Sequence, residues 1–166
     1  MSHISVAPEF EAANEKYAAS FDKGRLPLPP GRKVIALVCM DARLDPAKIL
    51  GLSEGDAHVI RNAGGRAVDA LRSVVISQQL LGTQEIVIVH HTDCGMLTFS
   101  DSDIKTKIRK ELGEDADHIA FLQFSDLEQS VRDDIAVLRK SALVKDVPIT
   151  GYVYDVTNGR LNKVEA

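Results

Sequence analysis

The sequence predicts an α/β fold: a mainly parallel central β-sheet, with about four parallel strands and a short antiparallel edge strand, flanked by helices and preceded by an N-terminal helical arm. Three observations carry this. Apolar runs recur at 33–38, 57–61 and 85–90, and segments with helical spacing separate them. A last apolar run at 149–156 leads into Thr157-Asn-Gly-Arg160 and a short stretch near 161–164. Continuous apolar runs mark strands buried on both faces, and their alternation with helices marks parallel pairing through helical crossovers.

Each element has its own signals. A helical arm is expected over about 8–22, joined to the first strand by the stiff segment Leu26-Pro-Leu-Pro-Pro30. The first strand, KVIALV, stops at Cys39, and Asp45-Pro46 reads as a helix start with Asp as N-cap. The second strand, AHVIR, ends in the turn Asn62-Ala-Gly-Gly65. Asp69 is the expected cap of a helix that runs to Leu81, with Leu71, Val74, Val75, Leu80 and Leu81 on its apolar side and Gly82 ending it. The third strand, EIVIVH, leads directly into His91-Thr-Asp-Cys94. Helices are expected from Ser100 to Leu112 and from Ser125 to Leu143; in the second, Leu127, Val131, Ile135 and Leu138 repeat at helical spacing. Thr157 to Arg160 then forms a hairpin turn into the edge strand.

The bulk properties bound the function. A chain of 166 residues fits one domain over 1–166, with 1–30 as the arm. Net charge is −4, from 24 acidic and 20 basic residues with no basic run, which argues against nucleic acid as a partner. No apolar stretch is long enough to span a bilayer, and the polar N-terminus lacks an apolar export segment, so a cytoplasmic protein with no membrane partner is expected. Cys39 and Cys94 are the two cysteines; in that compartment they point to metal or catalysis rather than a disulfide.

In an open parallel sheet, ligands bind at the carboxyl ends of strands. Cys39 follows the first strand, and His91 and Cys94 follow the third. Thiolate and imidazole are zinc's preferred donors, and a Cys₂His set leaves the fourth position for water. Either cysteine can equally be a small buried hydrophobe. Asp41 and Arg43 continue Cys39 as Cys-x-Asp-x-Arg. A carboxylate so placed can accept a hydrogen bond at a metal site, held ionised by a bidentate guanidinium; the alternative is a weak surface ion pair. Three residues between Cys39 and Arg43 are too few for a phosphatase loop.

Three segments together, Cys39-Met-Asp-Ala-Arg43, Arg61-Asn-Ala-Gly-Gly65 and His91-Thr-Asp-Cys94-Gly95, resemble the β-class carbonic anhydrases. The string HHTDCGMLTF is similar to the short-chain branch, which also includes carbonyl sulfide hydrolases. The resemblance runs from about residue 33 to 99. It implies one Zn²⁺ per chain on Cys39, His91 and Cys94, with the Asp41–Arg43 dyad beside the zinc-bound hydroxide. It also implies a cleft lined at Gly64 and Gly95, and a homodimer or higher homo-oligomer in which the arm packs on the partner subunit. Ala36 stands where the bicarbonate-regulated branch carries Trp, which speaks against an allosteric bicarbonate site. LPLPPGR replaces a segment that supplies Gln in many members, so a less polar cleft mouth is expected.

The implied activity is zinc-dependent hydration of a small linear electrophile, CO₂ to bicarbonate. Carbonyl sulfide hydrolysis at the same site is the alternative, and a non-catalytic zinc-binding protein is the alternative of another class. Elsewhere, His90 is expected to pack on the sheet face opposite His91, His58 to be a satisfied core histidine, and His3 and His118 to be solvated. Asp93 is expected to bond local backbone, Leu97 and Phe99 to line the cleft or the core, and Glu114 to Asp117 to form a solvated loop.

Overall fold

The structure, a computed structural model, describes residues 4–166, so His3 lies outside it. Five strands form one sheet: β1 (Val34–Cys39), β2 (Ala57–Asn62), β3 (Glu85–His91), β4 (Ile149–Tyr154) and β5 (Leu161–Val164). Their order is β2-β1-β3-β4-β5. The first three pairings are parallel, and β5 alone runs antiparallel, on β4. The helices are α1 (Ala7–Ala19), α2 (Pro46–Leu50), α3 (Ala67–Leu81), α4 (Asp101–Leu112) and α5 (Leu127–Lys140). The expected sheet, with its four parallel strands and antiparallel edge, is the one observed.

The central strands alternate between two apolar layers. Ile35, Leu37, Ile86 and Ile88 face α3 and α5, where Val74, Val131, Ile135 and Leu138 close the larger core. Ala36, Val38 and Val89 face the other way, into a smaller cluster that holds Cys39, Cys94, Leu44 and Met96. At ~25 cal/mol per Å² of apolar surface removed from water, these two layers are the main favourable contribution to the fold. Gly151 of β4 is what lets α5 lie flat on the sheet, because a Cβ there would overlap Val131 and sit 2.9 Å from Ile135.

Boundaries differ from the sequence reading where side chains from elsewhere intervene. Helix α3 starts at Ala67, not at a cap on Asp69, which is an exposed first-turn residue. The acceptor for its first free amide comes from another helix: Asp134 Oδ2 accepts from Ala67 N–H at 3.1 Å. Helix α5 runs Leu127–Lys140 rather than 125–143, because the Asp126 side chain caps it by accepting from Gln129 N–H at 2.9 Å. Ser100 and Asp103 form the reciprocal capping box of α4. Strand β4 ends at Tyr154 because Asp155 turns the chain, its carbonyl accepting from Gly159 N–H at 2.8 Å. Helix α1 occupies 7–19, one residue earlier at its start and three shorter at its end than the expected 8–22, and buries none of its residues. No helix of the described residues is long and apolar enough to cross a membrane.

Replacing Gly151 by Ala should force α5 off β4 and cost about 1–3 kcal/mol of stability. Denaturant unfolding measures this, and an unchanged midpoint would contradict the packing.

Candidate metal centre

Cys39 is the last residue of β1 and His91 the last of β3. The two strands are parallel neighbours with Val38 opposite Val89, so both side chains leave the sheet at its carboxyl edge. Cys94 is brought back to them by a tight turn. Thr92 N–H donates to Tyr154 O at 2.9 Å, and the Thr92 hydroxyl accepts from Val156 N–H at 3.0 Å. Asp93 then takes a left-handed φ of 53°. The sulfurs of Cys39 and Cys94 and a ring nitrogen of His91 all lie within 4.8 Å of one another, and all three residues are buried.

Local chemistry prepares these donors for a cation. His91 Nδ1 is 2.8 Å from Thr92 O, an acceptor only, which assigns the ring proton to Nδ1 and leaves the Nε2 lone pair free. Nε2 is buried without a hydrogen bond. Both thiols are free of disulfides. A hydrogen bond from Cys94 pulls the Cys39 thiol well down, helped by His91 and by the amides of Asp41 and Gly64, while burial opposes. The Cys94 thiol is pushed up correspondingly, by that same contact and by burial. Burial disfavours a charged His91, yet the neighbouring Cys39 sulfur, the Thr92 carbonyl and nearby Asp41 outweigh this and raise it. Two soft sulfurs and one unpartnered imidazole nitrogen fit a divalent zinc-type ion, which would displace the protons these donors carry.

Asp41 stands beside this group, its Oδ2 3.7 Å from His91 Nε2. Arg43 grips the carboxylate with both arms: Nε donates to Oδ1 at 3.0 Å and Nη2 to Oδ2 at 2.9 Å. That fork holds Asp41 below the usual carboxylate range, against a smaller opposing effect of burial. The two residues expected as a dyad are therefore brought together. Asp93 departs from expectation: its Oδ2 accepts from Arg43 Nη1 at 2.8 Å and its carbonyl from Nη2 at 2.9 Å, rather than local backbone. The reason is tertiary, since the loops after β1 and β3 face each other and Arg43 bridges them.

Sequence reasoning assigned no role to Arg61, at the exposed edge of β2. Its guanidinium donates to Cys39 O at 2.9 Å and to Asp41 O at 2.8 Å, clamping the loop that carries the dyad. Asn62 pins the next turn, accepting from Arg66 N–H at 2.7 Å and donating to Arg66 O at 3.0 Å. Gly64 and Gly95 line a cavity of about 370 Å³ with Cys39, Asp41, Cys94 and Met96. Gly64 has a φ of +81°, which favours glycine. Phe99 lines the same cavity, and Leu97 an adjoining groove.

The remaining residues fall mostly as expected. His90 is fully buried on the opposite face, and His58 is half-buried with Nδ1 2.6 Å from Ser77 Oγ. His118 is exposed. Asp115 and Asp117 pair with Arg109 on the surface, while Ala116 between them is buried.

A family profile described as carbonic anhydrase matches residues 34–161. The chain belongs to the β-class carbonic anhydrase family. This family member is 44% identical to "Beta-carbonic anhydrase 1" of Mycobacterium tuberculosis, over 97% of the present chain and 99% of that one. It is 36% identical to a "Carbon disulfide hydrolase" of Acidianus sp., over 90% of this chain and 84% of that one. The crystal structure of carbonic anhydrase from Streptococcus mutans superposes with a TM-score of 0.93 at 46% identity, covering 99% of this chain and 100% of that chain.

The donor set also sets a pH dependence for metal. His91 must be neutral to ligate, and its folded-state value is raised above 6.5. Protons therefore compete with the ion for this site, and apparent metal affinity should fall as pH falls. Zn²⁺ titrations at a series of pH values check this; an affinity independent of pH between about 6 and 8 would contradict the assignment.

Proposed function

We propose that this carbonic anhydrase-family chain is a zinc-dependent hydratase that converts CO₂ and water to bicarbonate and a proton. The observation that carries the reading is the convergence of Cys39, His91 and Cys94 beside an arginine-held Asp41, at the floor of a small, largely apolar cavity. In this reading the three residues hold one Zn²⁺ per chain. A zinc ion in such a site acts as a Lewis acid that makes a nucleophile from water near neutral pH.

The protein's own groups do the rest. Asp41 accepts a hydrogen bond from the attacking water and so aims a lone pair at the substrate carbon. Ionised, it can only accept, and the Arg43 fork keeps it in that form. Arg43 cannot swing away, because Asp93 holds its far side. Gly64 and Gly95 keep side chains out of the space a linear triatomic needs, and Met96 and Phe99 offer it an apolar wall.

A second reading keeps the site and changes the substrate to a sulfur analogue of CO₂. It is favoured by the relatives named carbon disulfide hydrolase, at 29–36% identity. Carbonyl sulfide and water would give H₂S and CO₂. Side-by-side assays of purified protein with CO₂, COS and CS₂ decide between the readings. Turnover of CO₂ alone or foremost is expected; zinc content without turnover of any of the three would assign a non-catalytic binding role.

Asp41→Asn should retain zinc and lose about 10² or more in turnover, measured by stopped-flow hydration together with metal analysis. Wild-type turnover in that variant would remove Asp41 from the mechanism. With two anionic sulfurs among the donors, the site's water should ionise late, so activity should rise toward alkaline pH; a flat profile from about pH 6 to 9 would count against this.

We further propose a cytoplasmic homodimer built from single-domain subunits. Helix α1 buries nothing within its own chain and exposes Phe10 and Tyr17. An isolated helix of its length is marginal in water, so a partner subunit is the natural support for it. Deleting residues 1–30 should convert a dimer to a monomer in light scattering, and an intact dimer would refute the arm's role.

A further inference from the structure

Beneath the candidate metal centre, on the sheet face away from the cavity, lies a buried polar cluster that the proposed reaction does not use. Asp134 of α5 and His90 of β3 are both fully buried. Asp134 Oδ2 accepts from Ala67 N–H at 3.1 Å and faces His90 Nε2 at 3.2 Å. Its Oδ1 lies 3.0 Å from Arg66 Nη2, paired by charge without hydrogen-bond alignment. His90 Nε2 also lies 3.2 Å from Gly65 O, and Nδ1 is 2.7 Å from Ser130 Oγ. Phe124 stacks on the His90 ring at 5.4 Å, with the Arg66 guanidinium 5.3 Å from its ring centre.

Several of these contacts converge on the turn 63–66 and on the amide that follows it. Asp134 takes the amide that follows the turn and the side chain of its last residue, and His90 takes its carbonyl at Gly65. The other side of that turn is pressed on the strand that carries Cys39. A Cβ on Gly65 would stand 2.9 Å from Cys39 N and 3.1 Å from Val38 C, at a φ of +65°. The buried carboxylate thus reaches the start of the loop after β1 through the Ala67 amide, which follows the turn, and through His90, which holds Gly65. Gly64, one residue earlier, lines the cavity beside Cys39.

We propose that Asp134 and His90 are positioning residues that hold the 63–66 turn against the end of β1 and thereby fix Gly64 and the Cys39 sulfur at the metal centre. The proposal rests on the zinc reading above. Burying a carboxylate is costly even when it is paired, so a cluster built solely to pack α5 on the sheet would do as well with apolar side chains. Partners that orient ligating groups typically carry about 10–100-fold in metal affinity.

Two variants of the full chain test this. Asp134→Asn keeps the shape but turns one of the two carboxylate contacts into donor facing donor. Ser130→Ala removes only the hydroxyl beside His90 and leaves every charge in place. Each is stripped of metal and titrated with Zn²⁺ and with Co²⁺, whose thiolate charge-transfer band reports the sulfur donors. Metal affinity should fall about 10–100-fold in Asp134→Asn and less in Ser130→Ala. The cobalt band should move from its wild-type position in both, and the Gly64 amide resonance should shift. Reduced stability alone lowers the folded fraction and leaves the band of folded molecules in place. Wild-type affinity, band and Gly64 resonance in Ser130→Ala, with the same in Asp134→Asn if it folds, overturn the proposal. Failure of the wild-type chain to bind either ion would instead overturn the zinc reading.

Discussion

The parallel pairing of β1 with β3 is the constraint from which the site follows. Neighbouring strands in register, Val38 opposite Val89, end at the same edge of the sheet. The residues at those ends, Cys39 and His91, are thereby brought into one site although fifty-two positions separate them in the chain. A shift of one residue in either strand would turn its terminal side chain to the opposite face. The two apolar layers prevent such a slip, since it would drive Ile35, Leu37, Ile86 and Ile88 out of the larger core.

The site is a balance of charge as much as of position. Two thiols and an imidazole are crowded into a buried space, where the contact between the sulfurs pulls the Cys39 thiol down and pushes the Cys94 thiol up. The same crowding becomes favourable once a divalent cation supplies the positive charge. Around it, Arg43 spans Asp41 and Asp93, and Arg61 holds two carbonyls of the β1 loop. Two arginines thus tie together loops whose apolar residues, Leu44 and Met96, also pack in the smaller cluster. Guanidinium suits the task because its planar fork bonds several oxygens at once and stays charged.

On the reverse side of the sheet, Asp134 does for the 63–66 turn what Arg61 does for the β1 loop. One cluster works from the solvent side and one from the core, and the candidate ligands lie between them. The left-handed glycines of that turn permit the close backbone approach that joins the two sides.

Much of this was legible in the sequence. Strand order by type, the antiparallel edge and the helix count follow from apolar periodicity and turn chemistry, which act over a few residues. Cys39, Asp41, Arg43, His91 and Cys94 were visible because reactive side chains clustered just after predicted strands, in segments that resemble a known family. Asp93, Arg61 and the true cap of α3 were not visible. Asp93 looked like a local turn former, and its partner Arg43 lies fifty residues away; Asp69 looked like a cap, but Asp134, sixty-seven residues from Ala67, supplies the acceptor. Local pattern sets which elements form and which residues sit at their ends. Only the packed sheet decides which distant charges meet, because an ion pair is specified by position in space, and in an α/β sheet that position is set by crossovers far longer than any sequence motif.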